Sequence, residues 1–226
     1  MEATPTSSSS PSVSGPASKR IVPPYVPSGD EGKDRLYFFH LLERLKTQKR
    51  TGWVDNGIGN PESISDHMHR MAVLALCSSD KSLDIGKCVL LAVVHDLAEA
   101  QVGDIAPSDG ISKQDKRRLE AAAMDNIIND MLGGGTAAQR IRALWDEYEA
   151  QETAEAKFVK DLDLFEMALQ ATEYEKESQG QKLLGPFLES SIPRLRHPEA
   201  QSWGNDLTAE RNQFWIDRTT KNPEST

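Results

Sequence analysis

The chain has 226 residues, 38% of them apolar and 27% charged, with a formal net charge of -9 and a sequence pI near 5.1. This length supports one domain with a sizeable core, and the acidic balance argues against a protein that coats nucleic acid, which needs a basic face. No apolar run approaches membrane-spanning length, and Cys77 and Cys88, both in apolar helical settings, read as buried free thiols of an intracellular protein.

Residues 1–30 are rich in Ser and Pro, with SSSSPSVSGP followed by Pro23, Pro24 and Pro27. Such a composition cannot bury enough apolar surface to offset ordering, so it predicts a disordered leader. A single domain over 31–218 and a short tail, 219–226, are expected to follow. The leader has no signal-peptide core, and its early Glu2 and scarcity of Arg fit a transit peptide poorly, which points to the cytosol or nucleus. Asp34 to Lys46 predicts a first helix, with Leu36, Phe38, Phe39, Leu41, Leu42 and Leu45 in a wide apolar stripe. Thr51 and Gly52 are expected to break it, leaving Arg50 and Trp53 on a loop. Such a pair is commonly a surface Arg beside a packing Trp, but it can also grip a phosphate and a base together.

After the turn-rich DNGIGNP, Ser63 and Asp66 have capping-box spacing and open a second helix. His67 falls beside its apolar positions Ile64, Met68, Met71, Leu74 and Ala75, whereas His69 lies on another side near Val73 and Leu76. Periodicity alone does not choose which histidine points inward. Ser82 to about Ala100 predicts a central helix whose segment Cys88–Val94 is apolar throughout and leaves no face for water. It then carries His95, Asp96 and Glu99, with Asp104 just beyond Gly103. Ionisable groups at the end of a core helix are costly unless their charge is compensated, and a bound cation is the simplest compensation. His95 and Glu99, four apart, share a helix face, with Asp96 a quarter-turn away.

Ile111–Leu132 reads as an amphipathic helix ended by the glycines at 133–135, with the charges of KQDKRRLE on its solvated face. Ala137 to Gln151 and Thr153 to Gln179 are further helices. The second packs through Phe158, Leu162, Phe165 and Leu169 and carries both Asp161 and Asp163 beside apolar neighbours, again without a choice between them. A short segment at Leu183–Leu188, a loop bounded by Pro193 and Pro198, and a helix from Trp203 to Arg218 complete the chain. No strand pattern appears, so the fold class is all-α.

The set His67, His95-Asp96 and Asp163 resembles the H…HD…D signature of the HD-domain metal-dependent phosphohydrolases. PESISDHMHRMA, VVHDLAEAQVGDIAP and AEAKFVKDLDLFEM look like the eukaryotic HD-domain 5'-deoxynucleotidases, over residues 34 to 217. The resemblance implies a compact helical bundle in which His67, His95, Asp96 and Asp163 bind a divalent metal, Mn, Co or Mg. It selects His67 over His69 and Asp163 over Asp161. It makes Glu99 and Asp104 essential acids, either ligands of a second metal together with the carbonyl of Ile105, or groups in acid–base steps. Arg50 resembles the family's phosphate-contacting arginine and Trp53 its sugar- or base-facing tryptophan, although Thr51 and Gly52 separate a pair that is adjacent in the bacterial pattern. The implied activity is hydrolysis of dAMP, dGMP, dCMP and dTMP to deoxynucleoside and phosphate by a homodimer, with no polymer or membrane partner. The rivals are phosphodiester cleavage or triphosphate release by another HD-domain enzyme, and a non-catalytic helical module with a structural metal. The scarcity of basic residues near the motifs, mainly Arg50 and Arg70, argues against a triphosphate. The acids beyond the ligand set, Glu99, Asp104 and Asp109, argue for an open catalytic site.

Overall fold

The computed structural model describes residues 21–221, with side chains through residue 220. The leader's residues 1–20 and the tail's residues 222–226 therefore lie outside the described residues. Among the described residues no strand forms beyond an isolated bridge between Lys49 and Ser63, and the all-α reading holds. The helices are α1 (Glu31–Leu41), α2 (Glu43–Thr47), α3 (Thr51–Asp55), α4 (Ile64–Ala75), α5 (Ile85–Val94) and α6 (Glu99–Val102), then α7 (Lys113–Asp125), α8 (Thr136–Ala150), α9 (Ala154–Glu177), α10 (Gly185–Ser191) and α11 (Pro198–Lys221). None is long and apolar enough to cross a membrane.

The long helix α9 is the axis. It packs against α4, α5, α8, α10 and α11, and Ala156, Val159, Leu162, Ala168 and Ala171 along it are fully buried. The alternation of small residues with Phe158 and Leu162 lets these neighbours approach closely while still filling the core. At the far end of α9 the buried Glu175 accepts bonds from Arg211 Nε at 2.6 Å and Nη2 at 2.9 Å, and from the Leu184 backbone N–H at 2.7 Å. One buried carboxylate thus ties α11 and the approach to α10 onto α9.

Several elements differ from their sequence expectations. The first helix is interrupted at Leu42 into α1 and α2, and Leu36 and Phe39 of its broad stripe are exposed. The central helix does not continue to Ala100. After Val94 the chain tightens into i→i−3 bonds, Leu97 N–H to Val94 O at 3.0 Å and Glu99 N–H to Asp96 O at 3.0 Å, before α6 begins. The apolar stretch of α5 also keeps an outward face, since Leu90 and Val93 are each 49% exposed. Cys77, past the end of α4, is exposed, whereas Cys88 is buried. Residues 21–29, which composition placed in the leader, run as an extended strap over the core. Val22 N–H donates to Gln101 O at 2.9 Å, and Tyr25 exchanges backbone bonds with the Asn126 side chain, each at 2.8 Å. Asp34 of α1 then accepts from Tyr25 Oη at 2.6 Å and from Ser28 N–H at 2.8 Å. Composition could not reveal this, because Ile21, Val22 and Tyr25 carry the packing within an otherwise polar, Pro-rich run.

Replacing Glu175 should cost about 3–5 kcal/mol, the range for an ionic partner left buried and unpaired, as read by urea unfolding of Glu175→Ala. Burial pushes the Glu175 carboxyl up, but Arg211 and the Leu184 N–H outweigh it and hold the folded pKa below the ordinary value. Its stabilising contribution is accordingly present at neutral pH and fades as pH falls from about 4.3 through the lower folded value. The variant should therefore unfold with a flatter acid limb than the parent protein.

Candidate active site

Short backbone devices bring the functional side chains to one place. The Lys49–Ser63 bridge, with Arg50 N–H donating to Glu62 O at 3.1 Å and Ile64 N–H to Gln48 O at 3.2 Å, fixes Arg50 beside the start of α4. Ser63 caps α4 through the expected box, its hydroxyl accepting from Asp66 N–H at 3.1 Å while Asp66 accepts from Ser63 N–H at 2.7 Å. Arg50 and Trp53 do not lie on a loop as expected, because Thr51 begins a short helix, α3, for which Arg50 is the N-cap. The cause is Asp104, whose carboxylate accepts from the Thr51 N–H at 2.6 Å while its carbonyl accepts from Thr51 Oγ1 at 2.6 Å. An anion at a helix start satisfies an orphan donor that no local side chain reaches.

His67 projects inward from α4 and is fully buried, whereas His69 is exposed. Its Nδ1 lies 2.5 Å from Glu166 Oε2, and Arg70 holds Glu166 in turn through Nε at 2.8 Å. His95 Nδ1 lies 2.8 Å from the Ala92 carbonyl. A carbonyl only accepts, so Nδ1 donates there and Nε2 is the ring nitrogen turned to the pocket. Both Nε2 atoms are buried without a hydrogen-bond partner. Each faces a carboxylate: His67 Nε2 is 3.3 Å from Asp163 Oδ1 and 3.9 Å from Asp96 Oδ2, and His95 Nε2 is 3.2 Å from Asp96 Oδ2. Ligand atoms of His67, His95 and Asp163 all lie within 4.8 Å of one another. Two buried imidazole Nε2 atoms facing carboxylate oxygens, with no hydrogen-bond partner of their own, form a donor set that a divalent cation could take up by displacing the protons held there, and Glu166 and Ala92 supply the outer contacts that orient the rings.

The electrostatics agree. Burial alone would raise both Asp96 and Asp163, yet His95 and Arg50 around the first, and Lys160 and His67 around the second, hold both carboxyls well below the usual range. Glu99 behaves oppositely. It is 1% exposed, and burial together with Asp96 and Asp104 pushes it well above the ordinary carboxyl value. Glu99 Oε2 is also unpartnered, with Arg50 Nη1 3.8 Å away. Arg50 Nη1 sits 3.2 Å from Asp96 Oδ2 and 3.7 Å from Asp104 Oδ1, so one guanidinium serves three acids.

These groups line a cavity of about 370 Å³, a size that suits a small ligand. The expected residues Arg50, Trp53, His95, Asp96, Glu99, Asp104, Ile105 and Asp163 all reach its wall, with His67 behind. The Ile105 carbonyl accepts from Lys116 Nζ at 3.1 Å. Trp53 contributes little surface, being 3% exposed with its indole N–H bonded to Glu62 Oε1 at 2.8 Å. Sequence reasoning missed Lys116, Lys160 and Arg194 on the same wall. Lys116 belongs to the run read as a solvated face, but it turns toward Glu99 Oε1 at 3.8 Å. The expected scarcity of basic groups near the site therefore does not hold. Glu166 was also missed, although it follows Asp163 by three positions and so shares its helix face, and Arg70, noted only as a nearby basic residue, is the group that holds it.

Residues 42–197 match the family model described as "HD domain", and the chain belongs to that family. It is 46% identical over 180 residues to the 5'-deoxynucleotidase hdd1 of Schizosaccharomyces pombe, covering 79% of this chain and 90% of that one. It is 45% identical over 185 residues to the human 5'-deoxynucleotidase HDDC2, covering 82% and 90%. Among solved structures, a Pyrococcus horikoshii protein superposes with a TM-score of 0.63 at 29% identity, covering 79% of this chain and 99% of that one.

Asp161 and Asp163 should separate experimentally. Asp161 is fully buried, but it accepts from the backbone N–H groups of Arg196 at 2.7 Å and His197 at 2.6 Å, on the side that holds the turn before α11. Asp161→Ala should lower the unfolding free energy by about 1–3 kcal/mol, the cost of stranding buried donors, and leave the stoichiometry of bound Mn unchanged. Asp163→Ala should lose Mn in the same titration calorimetry.

Proposed function

We propose that this HD-domain protein is a 5'-deoxynucleotidase that hydrolyses deoxynucleoside 5'-monophosphates to deoxynucleoside and phosphate with a divalent cation, Mn, Co or Mg. The observation that carries the reading is the convergence of two unpartnered, buried His Nε2 atoms with Asp96 and Asp163 on the wall of a cavity that also presents Arg50. The names of the relatives supply the substrate class.

His67, His95, Asp96 and Asp163 would hold the cation. When bound there, it supplies positive charge against phosphoryl oxygen and acidifies water. Arg50 presents its planar fork to the remaining phosphate oxygens, where it neutralises charge and fixes orientation. Its own pKa stands well above the ordinary arginine value, because Asp104, Asp96 and Glu99 outweigh burial, so it stays cationic throughout. Glu99, whose burial and acidic neighbours push its carboxyl well above the ordinary value, would give a proton to the leaving 5' oxygen as the ester P–O bond breaks and water adds to phosphorus. Asp104 acts through the backbone, holding α3 and hence Arg50 in place. Lys116 and Lys160 give a longer phosphate chain more support than the sequence suggested, so dATP belongs in the same assay. A homodimer is part of the proposal. The apolar groove lined by Phe38, Leu45, Met68, Val93 and Ile141, with Leu90 exposed nearby, supports it. A cytoplasmic location, with the nucleus as an alternative, completes it.

Chelator-treated protein should release no phosphate from dAMP, and Mn or Co should restore release, with AMP turned over much more slowly. Glu99→Gln should lower kcat by about 10²–10⁴-fold, the span of one acid–base group, and Arg50→Lys should weaken substrate binding. Triphosphate released from dATP in place of phosphate from dAMP would instead place the chain among the triphosphohydrolases.

A further inference from the structure

The cavity wall has two chemically different parts. Arg50, His95, Asp96, Glu99 and Asp163 make its charged part, and Leu164, Met167 and Phe187, the last lying against Trp53, its apolar part. The sequence resemblance places the sugar or base on Trp53, yet the surroundings of this ring leave little of it to receive a ligand. Trp53 is 3% exposed, and Glu62 accepts its indole N–H. Tyr174 meets it edge-on at 5.4 Å between centroids, and Phe187 lies against it at 4.5 Å with a 42° tilt. A base could stack on Trp53 only by displacing Phe187.

Phe187 is placed differently. It comes from α10, it is half-buried, and it lines the cavity directly. Its approach to α3 depends on Gly52, where a Cβ would stand 3.3 Å from Phe187 Cε1. Resting on the reading that the charged part takes the 5'-phosphate, we propose that Phe187 is the nucleoside-binding residue: its ring receives the base, and Trp53 backs it. Met167 lines the same cavity with an unbranched, polarizable side chain that adapts to different ring shapes. Every base has a π-face, so a stacking platform tolerates all of them. A site built this way is selective for nucleotides over simple phosphate esters without choosing strongly among bases.

The test uses the full chain with Mn. It compares wild type, Phe187→Leu and Phe187→Tyr for kcat and KM on dAMP and dCMP, and for inhibition by the two products, deoxyadenosine and inorganic phosphate. Phe187→Leu keeps an apolar side chain against Trp53 but has no π-face. It should raise KM and the deoxyadenosine inhibition constant together by about 5- to 100-fold, the range of one base–aromatic stack, with kcat and phosphate inhibition unchanged. Phe187→Tyr should restore wild-type behaviour. An unchanged deoxyadenosine constant in Phe187→Leu would overturn the assignment. A parallel loss of kcat and phosphate binding would also overturn it, since that pattern marks a packing role exerted through Trp53 and α3. Wild type that releases no phosphate from either nucleotide would overturn the proposed function and this inference together, whereas an active wild type with an indifferent Phe187→Leu variant overturns this inference alone.

Discussion

Asp96, Glu99, Asp104 and Asp163 share one pocket wall, with the Arg50 guanidinium close to the first three, and the architecture around them follows from the cost of that repulsion. Like charges at these separations in a poorly solvated space are tolerated only if protons, cations or donor groups intervene. The protein uses all three. Glu99 is pushed toward its neutral form, Arg50 and Lys160 stand beside Asp96 and Asp163, and Asp104 is taken up by the Thr51 backbone. His67 carries the same balance inward. Burial and Arg50 push its pKa down, but Glu166 and Asp163 on either side prevail and hold it at about 10. A site whose imidazole retains a proton so strongly without metal is one in which a divalent cation can take over the proton's role among the carboxylates.

The irregular backbone serves this arrangement. A continuous helix through residue 100 would set His95 and Glu99 a turn apart on one face, as periodicity suggests. The i→i−3 tightening after Val94 instead begins a separate helix at Glu99 and brings the chain round to Asp104, where it starts α3 from outside. His95 itself contributes, since its Nδ1 engages Ala92 O and commits Nε2 to the pocket. The regular helices are then free to do the packing, with α9 as common partner and Glu175 fastening the chain's last helix to it.

What the sequence revealed and what it withheld divide along physical lines. Local chemistry was legible. The Ser63–Asp66 box, the bounds of α8 and α9 to within a residue or two, and the tension between an apolar α5 and its acidic exit all depend on neighbours a few positions apart. Periodicity left His67 and His69 unresolved because both lie on helix faces with apolar neighbours; burial of the first and exposure of the second settle that pair. Asp161 and Asp163 differ by partner more than by depth, since the first holds backbone N–H groups of the turn before α11 while the second meets His67, Tyr148 and Lys160. Interactions set by long-range approach were not legible. Lys116 reads as one more solvated charge until α7 is placed against the turn at Ile105, and the Ser/Pro-rich strap reads as unstructured until Tyr25 finds Asn126, 101 positions away.

Trp53 shows how a residue can reach a cavity wall and still offer it little. An aromatic three positions from an arginine at a helix exit reads either as packing or as a ligand grip, and the ring does reach the cavity wall. Its N–H, however, is spent on Glu62, and Tyr174 and Phe187 pack on the ring. A buried indole satisfied in this way is a rigid support, the property a binding face needs behind it rather than at its surface. Glu62 links that support to the His67 side: burial and Glu166 raise its carboxyl to about 7, with His67 and the Trp53 N–H pulling the other way. Glu62 thus touches both sides: it accepts the Trp53 N–H, and its carboxylate lies with ligand atoms of His67 and Glu166 within 4.8 Å of one another.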